Sequence, residues 1–174
     1  MSDHPLHLFR YCPKCGSGQF EIHDFKSKRC RSCDFVYYFN PSASTAAFIT
    51  DDNGRLLVAR RAKDPSAGTY DLPGGFVDMS ETAEEAMRRE ILEETGLAIR
   101  NLRYSFSLPN IYVYSGFEVH TLDLFFEASI RSPVALTPAD DVSELCFLEK
   151  SEIHPADFGL TSIRKAITVW LNRL

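Results

Sequence analysis

The sequence predicts an α/β sandwich with a mixed sheet, preceded by a small β module. Three observations carry this prediction. Two Cys-x-x-Cys units come before Asn40-Pro41, strand-like runs follow that dipeptide, and one helical pattern over Thr82–Thr95 lies between two groups of such runs. Strands before and after a helix are typical of an α/β sandwich. We therefore expect two domains, residues 1–40 and residues 41–174.

Four cysteines of the first domain are predicted to bind zinc. Cys12 and Cys15 form one Cys-x-x-Cys unit, Cys30 and Cys33 form the other, and 14 residues separate the units. Each unit can point two sulfurs at one ion, which suits the tetrahedral site of a zinc ribbon. Disulfides and a redox pair are the alternatives. The first residues lack the layout of a signal peptide and the cytosol keeps thiols reduced, so we favour zinc.

The runs that flank these cysteines predict the strands of the ribbon. Gln19–His23 and Phe35–Phe39 alternate in polarity, and such short strands cannot fold without the metal. The fifth cysteine, Cys146, lies in an apolar stretch and is predicted to be a buried core thiol.

The second domain is predicted to begin with a β-hairpin. Ser44–Thr50 is apolar and suits a buried strand, Asp51-Asp-Asn-Gly54 is a turn signal, and Arg55–Arg61 returns as the second strand. Asp64–Thr69 is expected to be a loop.

The predicted helix over Thr82–Thr95 has recognisable ends. Ser80 or Thr82 is its N-cap, and Gly96 is its C-terminal stop. The elements expected after it are three strands and an amphipathic final helix: Ile99–Phe106, Phe117–Ser129, Glu144–Glu149 and Thr161–Leu171.

Composition limits the location and the partners of the protein. A hydrophobic content of 44% and a charged content of 25% are typical of globular domains. The formal net charge of -5 argues against broad nucleic-acid binding, which favours a basic surface. No apolar run is long enough to span a bilayer, so we expect a cytoplasmic protein without a membrane partner.

Three carboxylates crowd the C-terminal end of the predicted helix. Glu90, Glu93 and Glu94 share one face, at the end where the helix dipole disfavours negative charge. No basic residue stands four positions after any of them, so the cluster is expected to need a compensating cation. A solvated acidic face is the alternative, but the position favours a hard divalent ion bound through oxygen.

The segment around this helix resembles the Nudix box. Gly75 is followed after five residues by Glu81, and after seven more by Arg89-Glu-Ile-Leu-Glu-Glu-Thr-Gly-Leu97. Leu72-Pro-Gly-Gly75 resembles the loop that leads into the box. A pattern with this many fixed positions is far more specific than a short glycine motif. The resemblance implies a Nudix α/β/α sandwich and hydrolysis of nucleoside diphosphates linked to another group.

The resemblance also implies roles for individual residues. The three clustered carboxylates would ligate Mg²⁺ or Mn²⁺, and one of them would serve as the general base. Gly75 would offer its backbone carbonyl to the metal, because a residue without Cβ permits close approach. Glu81 and Arg89 would orient the loop and the helix through a salt bridge.

Further candidates for the site lie outside the box. Such enzymes often take another acidic ligand, and Asp141 and Glu144 are the candidates here, with loop solvation as the equal alternative. Arg60 and Arg61 end the second strand and could contact phosphates, although arginines at strand ends are more often ordinary surface residues.

The sequence does not determine which nucleotide is the substrate. A zinc ribbon before a Nudix domain resembles the arrangement of NADH pyrophosphatases, whose motif SQPWPFPxS marks NAD(H) specificity. This chain has Ser105-Phe-Ser-Leu-Pro-Asn-Ile-Tyr-Val-Tyr-Ser115 in its place, and the motif is not met. Tyr112 and Tyr114 could stack on a base or form a half-buried strand edge. ADP-ribose, an NAD(H)-like dinucleotide and a sugar nucleotide remain as candidates.

A second hypothesis is a nucleotide-sensing regulator. In that case the ribbon would bind a protein or nucleic acid and the Nudix domain would not catalyse. Such regulators typically lose acidic positions of the box, which are intact here, so the enzyme is favoured. The ribbon itself could stiffen the fold, build a homodimer contact or cover the pocket, and the sequence does not choose among these roles.

Overall fold

The computed structural model describes residues 4–131, 136–138 and 142–173. The chain divides into two compact units, Met1–Pro41 and Ser42–Leu174. No helix in the described part of the chain is long and apolar enough to cross a membrane.

The smaller unit contains a three-stranded antiparallel sheet. Its strands are, in spatial order, β1 (Phe20–Asp24), β2 (Ser27–Cys30) and β3 (Val36–Tyr38). The sequence predicts the outer strands but not β2, because the residues of β2 are polar. Lys28 of β2 is nevertheless buried, and its ammonium donates a hydrogen bond to the carbonyl oxygen of Phe9 at 2.6 Å. Burial lowers the pKa of Lys28.

The larger unit contains six strands and two α-helices within the described residues. The first half consists of β4 (Ser42–Thr50), β5 (Leu56–Arg61), β6 (Tyr70–Asp71) and α1 (Ala83–Thr95). The second half consists of β7 (Arg100–Tyr114), β8 (Phe117–Ser129), β9 (Val142–Leu148) and α2 (Thr161–Arg173). Two short 3-10 helices, Lys150–Glu152 and Pro155–Asp157, lie between β9 and α2.

A mixed six-stranded sheet forms the centre of the larger unit. Strand β4 pairs antiparallel with β5 and parallel with β8, from Ser42↔Thr121 to Thr50↔Ser129. Strand β8 continues the sheet to β7, and β5 also pairs with β6 and β9. The predicted α/β sandwich with a mixed sheet is therefore confirmed.

Each face of this sheet has its own hydrophobic core. Successive residues of a strand point to opposite faces. Ile49 of β4 packs in one core with Ile91 of α1, whereas Phe48 packs in the other core with Trp170 of α2. The rings of Phe48 and Trp170 stack with centroids 5.4 Å apart. Cys146, predicted to be a buried core thiol, is half-buried at the margin of the second core, and burial raises its pKa.

Helix α1 begins and ends at the predicted signals. The Thr82 hydroxyl accepts a hydrogen bond from the backbone N–H of Glu85, and the Glu85 carboxylate accepts one from the Thr82 N–H at 2.8 Å. This reciprocal capping box satisfies two donors that the helix leaves free. Gly96 ends the helix with φ 69°, a left-handed conformation that suits glycine. Ser80, the other N-cap candidate, lies outside the helix.

The observed strands differ most from the prediction after α1. The predicted strand Ile99–Phe106 is only the first part of β7, which continues to Tyr114 because it pairs with β8 as far as Tyr114↔Phe117. Pro109 is tolerated within β7, because β7 is the edge strand of the sheet. Strand β6 is two residues long, too short for a periodic pattern to reveal.

Substitutions of two adjacent residues of α1 can test how the packing of this helix contributes to the free energy of unfolding. Ile91 is fully buried and Leu92 is exposed. We expect Ile91→Ala to lower the free energy of unfolding by about 2–5 kcal/mol, because it leaves a cavity in the core. Leu92→Ala is the matched control and should change it by less than about 0.5 kcal/mol. Urea unfolding followed by the fluorescence of Trp170, the single tryptophan, measures both. Equal effects of the two substitutions would contradict the packing described.

Candidate active site

Two adjacent glycines let a loop approach both β4 and α1. A Cβ added to Gly74 would lie 2.1 Å from the backbone oxygen of Thr45, and one added to Gly75 would lie 2.5 Å from the carboxylate of Glu90. The Gly75 carbonyl accepts a hydrogen bond from the Thr45 N–H at 2.8 Å. Only residues without Cβ permit this approach.

Arg89 joins the loop to the acidic end of α1. Its Nε and Nη2 donate to the two carboxylate oxygens of Glu81 at 2.9 and 2.8 Å. Its Nη1 donates to Glu90 at 2.7 Å and to Glu93 at 3.2 Å. Nη2 also donates to the carbonyl oxygen of Phe76 at 3.1 Å. One guanidinium therefore holds three carboxylates and the loop backbone together.

These contacts shift the pKa values of the network. Hydrogen bonds from Arg89 and from the Asp78 N–H lower the pKa of Glu81, and hydrogen bonds to Glu81 and Glu90 raise the pKa of Arg89. No basic residue stands four positions after Glu90 or Glu93, as the sequence indicates, but both have a basic partner in the structure. Their partner, Arg89, precedes them in the helix rather than following four positions later.

Glu94 has a different environment from the other two carboxylates of the cluster. It is 9% exposed, and its Oε2 accepts a hydrogen bond from the backbone N–H of Gly74 at 3.0 Å, whereas the Glu93 side chain is 52% exposed. Among the described residues, only four cysteines bring their ligand atoms within 4.8 Å of one another. The three glutamates therefore lie on one helix end without converging on a single point.

A cavity of about 200 Å³ opens beside Glu94. The backbone of Gly74 and Gly75 forms part of its wall. The other charged, amide and aromatic side chains of the described lining are Arg61, Asp71, Phe76, Asn110, Tyr112 and Asp123. A concave surface with a few convergent polar groups is the usual form of a small-molecule site.

Arg61 and Asp71 form an ion pair in the cavity wall. Arg61 Nη1 donates to Asp71 Oδ2 at 2.6 Å, and its Nε donates to the carbonyl oxygen of Pro65 at 2.8 Å. Burial raises the pKa of Asp71 despite the opposing effect of Arg61. Burial alone would lower the pKa of Arg61, but the carboxylate of Asp71 raises it. Arg61 thus stays charged at the cavity.

Arg60 and Glu144, two other predicted site residues, pair with each other. Arg60 Nε donates to Glu144 Oε2 at 2.7 Å across β5 and β9, and neither residue lines the cavity. The guanidinium also lies over the ring of Tyr70, 4.5 Å from its centroid. The structure therefore does not place Arg60 and Glu144 with the predicted site residues that line the cavity. Asp141, the alternative acidic ligand, lies outside the described residues.

The two predicted stacking tyrosines occupy different positions. Tyr112 lines the cavity and meets the ring of Phe76 edge-on, with centroids 6.2 Å apart. Tyr114 is exposed and stacks on Tyr112, with centroids 6.4 Å apart. Tyr112 and Phe76 are thus the aromatic side chains at the cavity, and Tyr114 supports Tyr112 from outside.

The four cysteines of the smaller unit form a separate cluster. Their sulfurs are close together, with Cys12 Sγ 3.8 Å from Cys33 Sγ and Cys15 Sγ 3.6 Å from Cys30 Sγ. A tetrahedral zinc–thiolate site with bonds of about 2.3 Å places its sulfurs about 3.8 Å apart, so the spacing fits. Despite burial, backbone N–H groups of Ser32 and Cys33 lower the pKa of Cys30 to about 6. This shift favours the thiolate form, which is the form that binds zinc.

Comparison with known proteins identifies the larger unit. The NUDIX domain family matches residues 40–171. The chain belongs to the Nudix family. The box, the preceding glycine loop and the α/β/α sandwich are all features of this one domain, so the resemblance read from the sequence is confirmed.

Three Nudix relatives show how far the similarity extends. The NAD-capped RNA hydrolase NudC of Chromobacterium violaceum is 38% identical over 102 residues, which cover 59% of this chain and 38% of the relative. NudC of Pseudomonas entomophila is 26% identical over 164 residues, covering 94% of this chain and 56% of the relative. The crystal structure of a NUDIX hydrolase from Nitrosomonas europaea superposes with a TM-score of 0.73 at 21% identity, covering 94% of this chain and 91% of that one. The matched segment thus spans 38% to 56% of the two curated relatives' length.

Two carboxylates of the cavity wall were not predicted from the sequence. Asp123 lies inside the apolar run Leu122-Asp-Leu-Phe-Phe126, where a charged residue is unusual and could have been noticed. Asp71 directly precedes Leu72-Pro-Gly-Gly75, the loop that leads into the Nudix box. Neither belongs to a motif, and only the folded sheet brings both to the cavity.

The hydrogen bonds from Arg89 to Glu81 lead to a testable prediction for the pKa of Glu81. Because the folded pKa of Glu81 is lowered, its contribution to stability is complete above its ordinary pKa and is lost as pH falls through the folded value. We expect Arg89→Gln to return the pKa of Glu81 towards its ordinary value of about 4.3. Carboxyl-carbon NMR titration measures this shift. Arg88→Gln, one position earlier, is the matched control, and an unchanged Glu81 pKa in Arg89→Gln would refute the network.

Proposed function

We propose that this Nudix domain hydrolyses the pyrophosphate bond of a nucleoside diphosphate linked to another moiety, with Mg²⁺ or Mn²⁺ as cofactor. The position of Glu94 carries the proposal. This buried carboxylate lies in the last turn of α1, is tied to the Gly74 N–H and faces the cavity. Buried negative charge at this end of a helix is unfavourable without a cation.

The available oxygens fit a hard divalent ion. Mg²⁺ is usually held by one or two carboxylates together with substrate phosphates. Glu90 and Glu94 share one face of α1 and both reach the loop, Glu94 at the Gly74 N–H and Glu90 beside Gly75, whose carbonyl lies in the same segment. Glu93 would complete the set from the exposed side. A bound divalent ion polarises phosphorus and neutralises charge on the phosphate oxygens.

The protein's own residues would divide the remaining work. Arg89 keeps its two hydrogen bonds to Glu81 and thereby fixes the loop. Glu90 and Glu93 contact Arg89 through its Nη1, and they would hold the cation together with Glu94. One glutamate of the cluster would accept the proton of the attacking water as the phosphorus–oxygen bond breaks.

The cavity supports a nucleotide substrate. Arg61 is the only basic residue among the described residues that line it, and it would stabilise phosphate charge. Phe76 and Tyr112 offer ring surfaces for a base. Two relatives are named NAD-capped RNA hydrolases, which supports a dinucleotide type of substrate. ADP-ribose, NAD(H)-like dinucleotides and sugar nucleotides all contain the bond proposed here.

For the cysteine cluster we propose a structural Zn²⁺ in a separate zinc-ribbon domain. The sulfur spacing supports this proposal. The small hydrophobic cluster around the cysteines also supports it, since its buried members are Cys12, Phe20 and Cys30. A core of this size needs a metal to fold. Thiolate ligands need a reducing compartment, which supports a cytoplasmic location. A homodimer contact through the ribbon stays a prediction.

Substitution of the acidic cluster tests the hydrolase proposal. Purified protein with Mg²⁺ is expected to cleave at least one of ADP-ribose, NADH and ADP-glucose to two monophosphates, measured by chromatography of the products. We expect Glu94→Gln to lower kcat/KM by more than about 100-fold, because even outer partners of a metal site are worth 10–100-fold. Glu84→Gln, exposed in the first turn of the same helix, is the matched control.

Two outcomes of that experiment would reject the proposal. One is a triple Gln variant of Glu90, Glu93 and Glu94 that cleaves as fast as the unsubstituted protein. The other is tight nucleotide or DNA binding without turnover of any substrate, which would support the regulator instead.

The zinc proposal has its own test. We expect the purified protein to contain one zinc ion per chain by mass spectrometry, and Cys30→Ser to lose it and to melt at a lower temperature. Cys146→Ser, which changes the cysteine outside the cluster, should retain the zinc. Loss of hydrolysis in Cys30→Ser at an unchanged melting temperature would show that the ribbon acts on the reaction and not on stability.

A further inference from the structure

One buried carboxylate of the cavity has no part in the proposed hydrolytic machinery. Asp123 of β8 is 7% exposed and lines the cavity. The hydroxyls of Ser44 and Thr121 both donate to its Oδ1, each at 2.5 Å. Within the described part of the chain, both of these hydrogen bonds go to Oδ1 and none reaches Oδ2, and the residue lines the cavity. A carboxylate oxygen accepts hydrogen bonds, so Oδ2 is available to a donor on a bound ligand.

The pairing of the strands sets Asp123 beside the loop of the Nudix box. Ser44 of β4 pairs with Asp123 on one side and with Phe76 on the other. The next residue, Thr45, donates to the carbonyl of Gly75. Phe76 and Asp123 therefore lie about two strand spacings, roughly 10 Å, apart on the wall of the cavity that Glu94 also lines, and a planar ring bound between them would present an edge to Asp123.

The charges of the cavity decide which part of a nucleotide faces Asp123. The described lining contains three carboxylates, Asp71, Glu94 and Asp123, and one basic residue, Arg61. Arg61 already pairs with Asp71. A phosphate beside Asp123 would be repelled, whereas a neutral ring with an N–H group would be attracted. An ionised carboxylate accepts hydrogen bonds and donates none.

We propose that Asp123 selects the base of the substrate by accepting a hydrogen bond from an exocyclic amino group, such as that of adenine. This inference rests on the hydrolase function proposed above and names the substrate class for the same site. Hypoxanthine has a carbonyl oxygen in the place of that amino group, so two acceptors would face each other. A site that hydrogen-bonds a substrate group rejects analogues without it, because its own polar atom is then left unpaired.

The test compares two substrates that differ only at this group. We expect kcat/KM for ADP-ribose to exceed that for inosine diphosphate ribose by at least about 10-fold. Asp123→Asn keeps the size of the side chain and adds a donor, so it should remove or invert the ratio of the two kcat/KM values. Glu118→Gln makes the same chemical change at an exposed position of β8 and should leave the preference unchanged. The melting temperature of each variant confirms that it is folded.

Calorimetric titration with AMP and IMP gives a readout that needs no turnover. The unsubstituted protein is expected to bind AMP at least about 10-fold more tightly than IMP. Equal affinities, binding of neither nucleotide, or a folded Asp123→Asn variant that keeps the preference would overturn the role of Asp123. Selective binding without hydrolysis would instead reject the hydrolase function and leave the base selection standing. Hydrolysis without selectivity would support the hydrolase function and reject the selection of the base by Asp123.

Discussion

The approach of the Gly74-Gly75 backbone to β4 and α1 is the constraint on which the candidate site depends. On one side the loop bonds to Thr45 of the central sheet, and on the other its N–H group bonds to Glu94. The acidic helix end is thereby held against the sheet by backbone groups, which have less freedom than long side chains. Arg89 adds a second connection through Glu81. The loop, the helix end and the cavity wall are therefore fixed relative to one another. A binding site needs such support to hold its groups in place.

The features that the sequence predicts well are those set by neighbouring residues. The capping box at Thr82, the left-handed stop at Gly96 and the helix between them depend on residues within one or two turns. The inner parts of β4 and β5, residues 46–49 and 56–59, are covered on both faces and therefore read as continuous apolar runs. The Nudix box can also be recognised from nearby residues, because its fixed positions lie within 23 residues of the chain.

The features that the sequence could not predict depend on pairing between distant segments. Arg60 and Arg61 are adjacent in the chain, yet one pairs with Glu144 on β9 and the other with Asp71 at the cavity. Nothing local separates them, because successive strand residues point to opposite faces and the partner decides the role. The same holds for Asp123, whose contact with Ser44 follows from the parallel register of β4 and β8. The full length of β7 is likewise set by β8.

The two walls of the cavity differ in their mechanical support. The loop wall is attached to the centre of the sheet, whereas Tyr112 lies on the part of the β7–β8 hairpin that extends past Ser42↔Thr121, where the pairing with β4 begins. Among the described strands, this outer part of the hairpin pairs only with itself. Two-stranded ribbons without a third strand deform more easily than strands inside a sheet. We therefore expect the wall formed by the loop to be stiff and the wall at Tyr112 to be compliant, so that a bound ring can shift at Tyr112 without disturbing the acidic helix end.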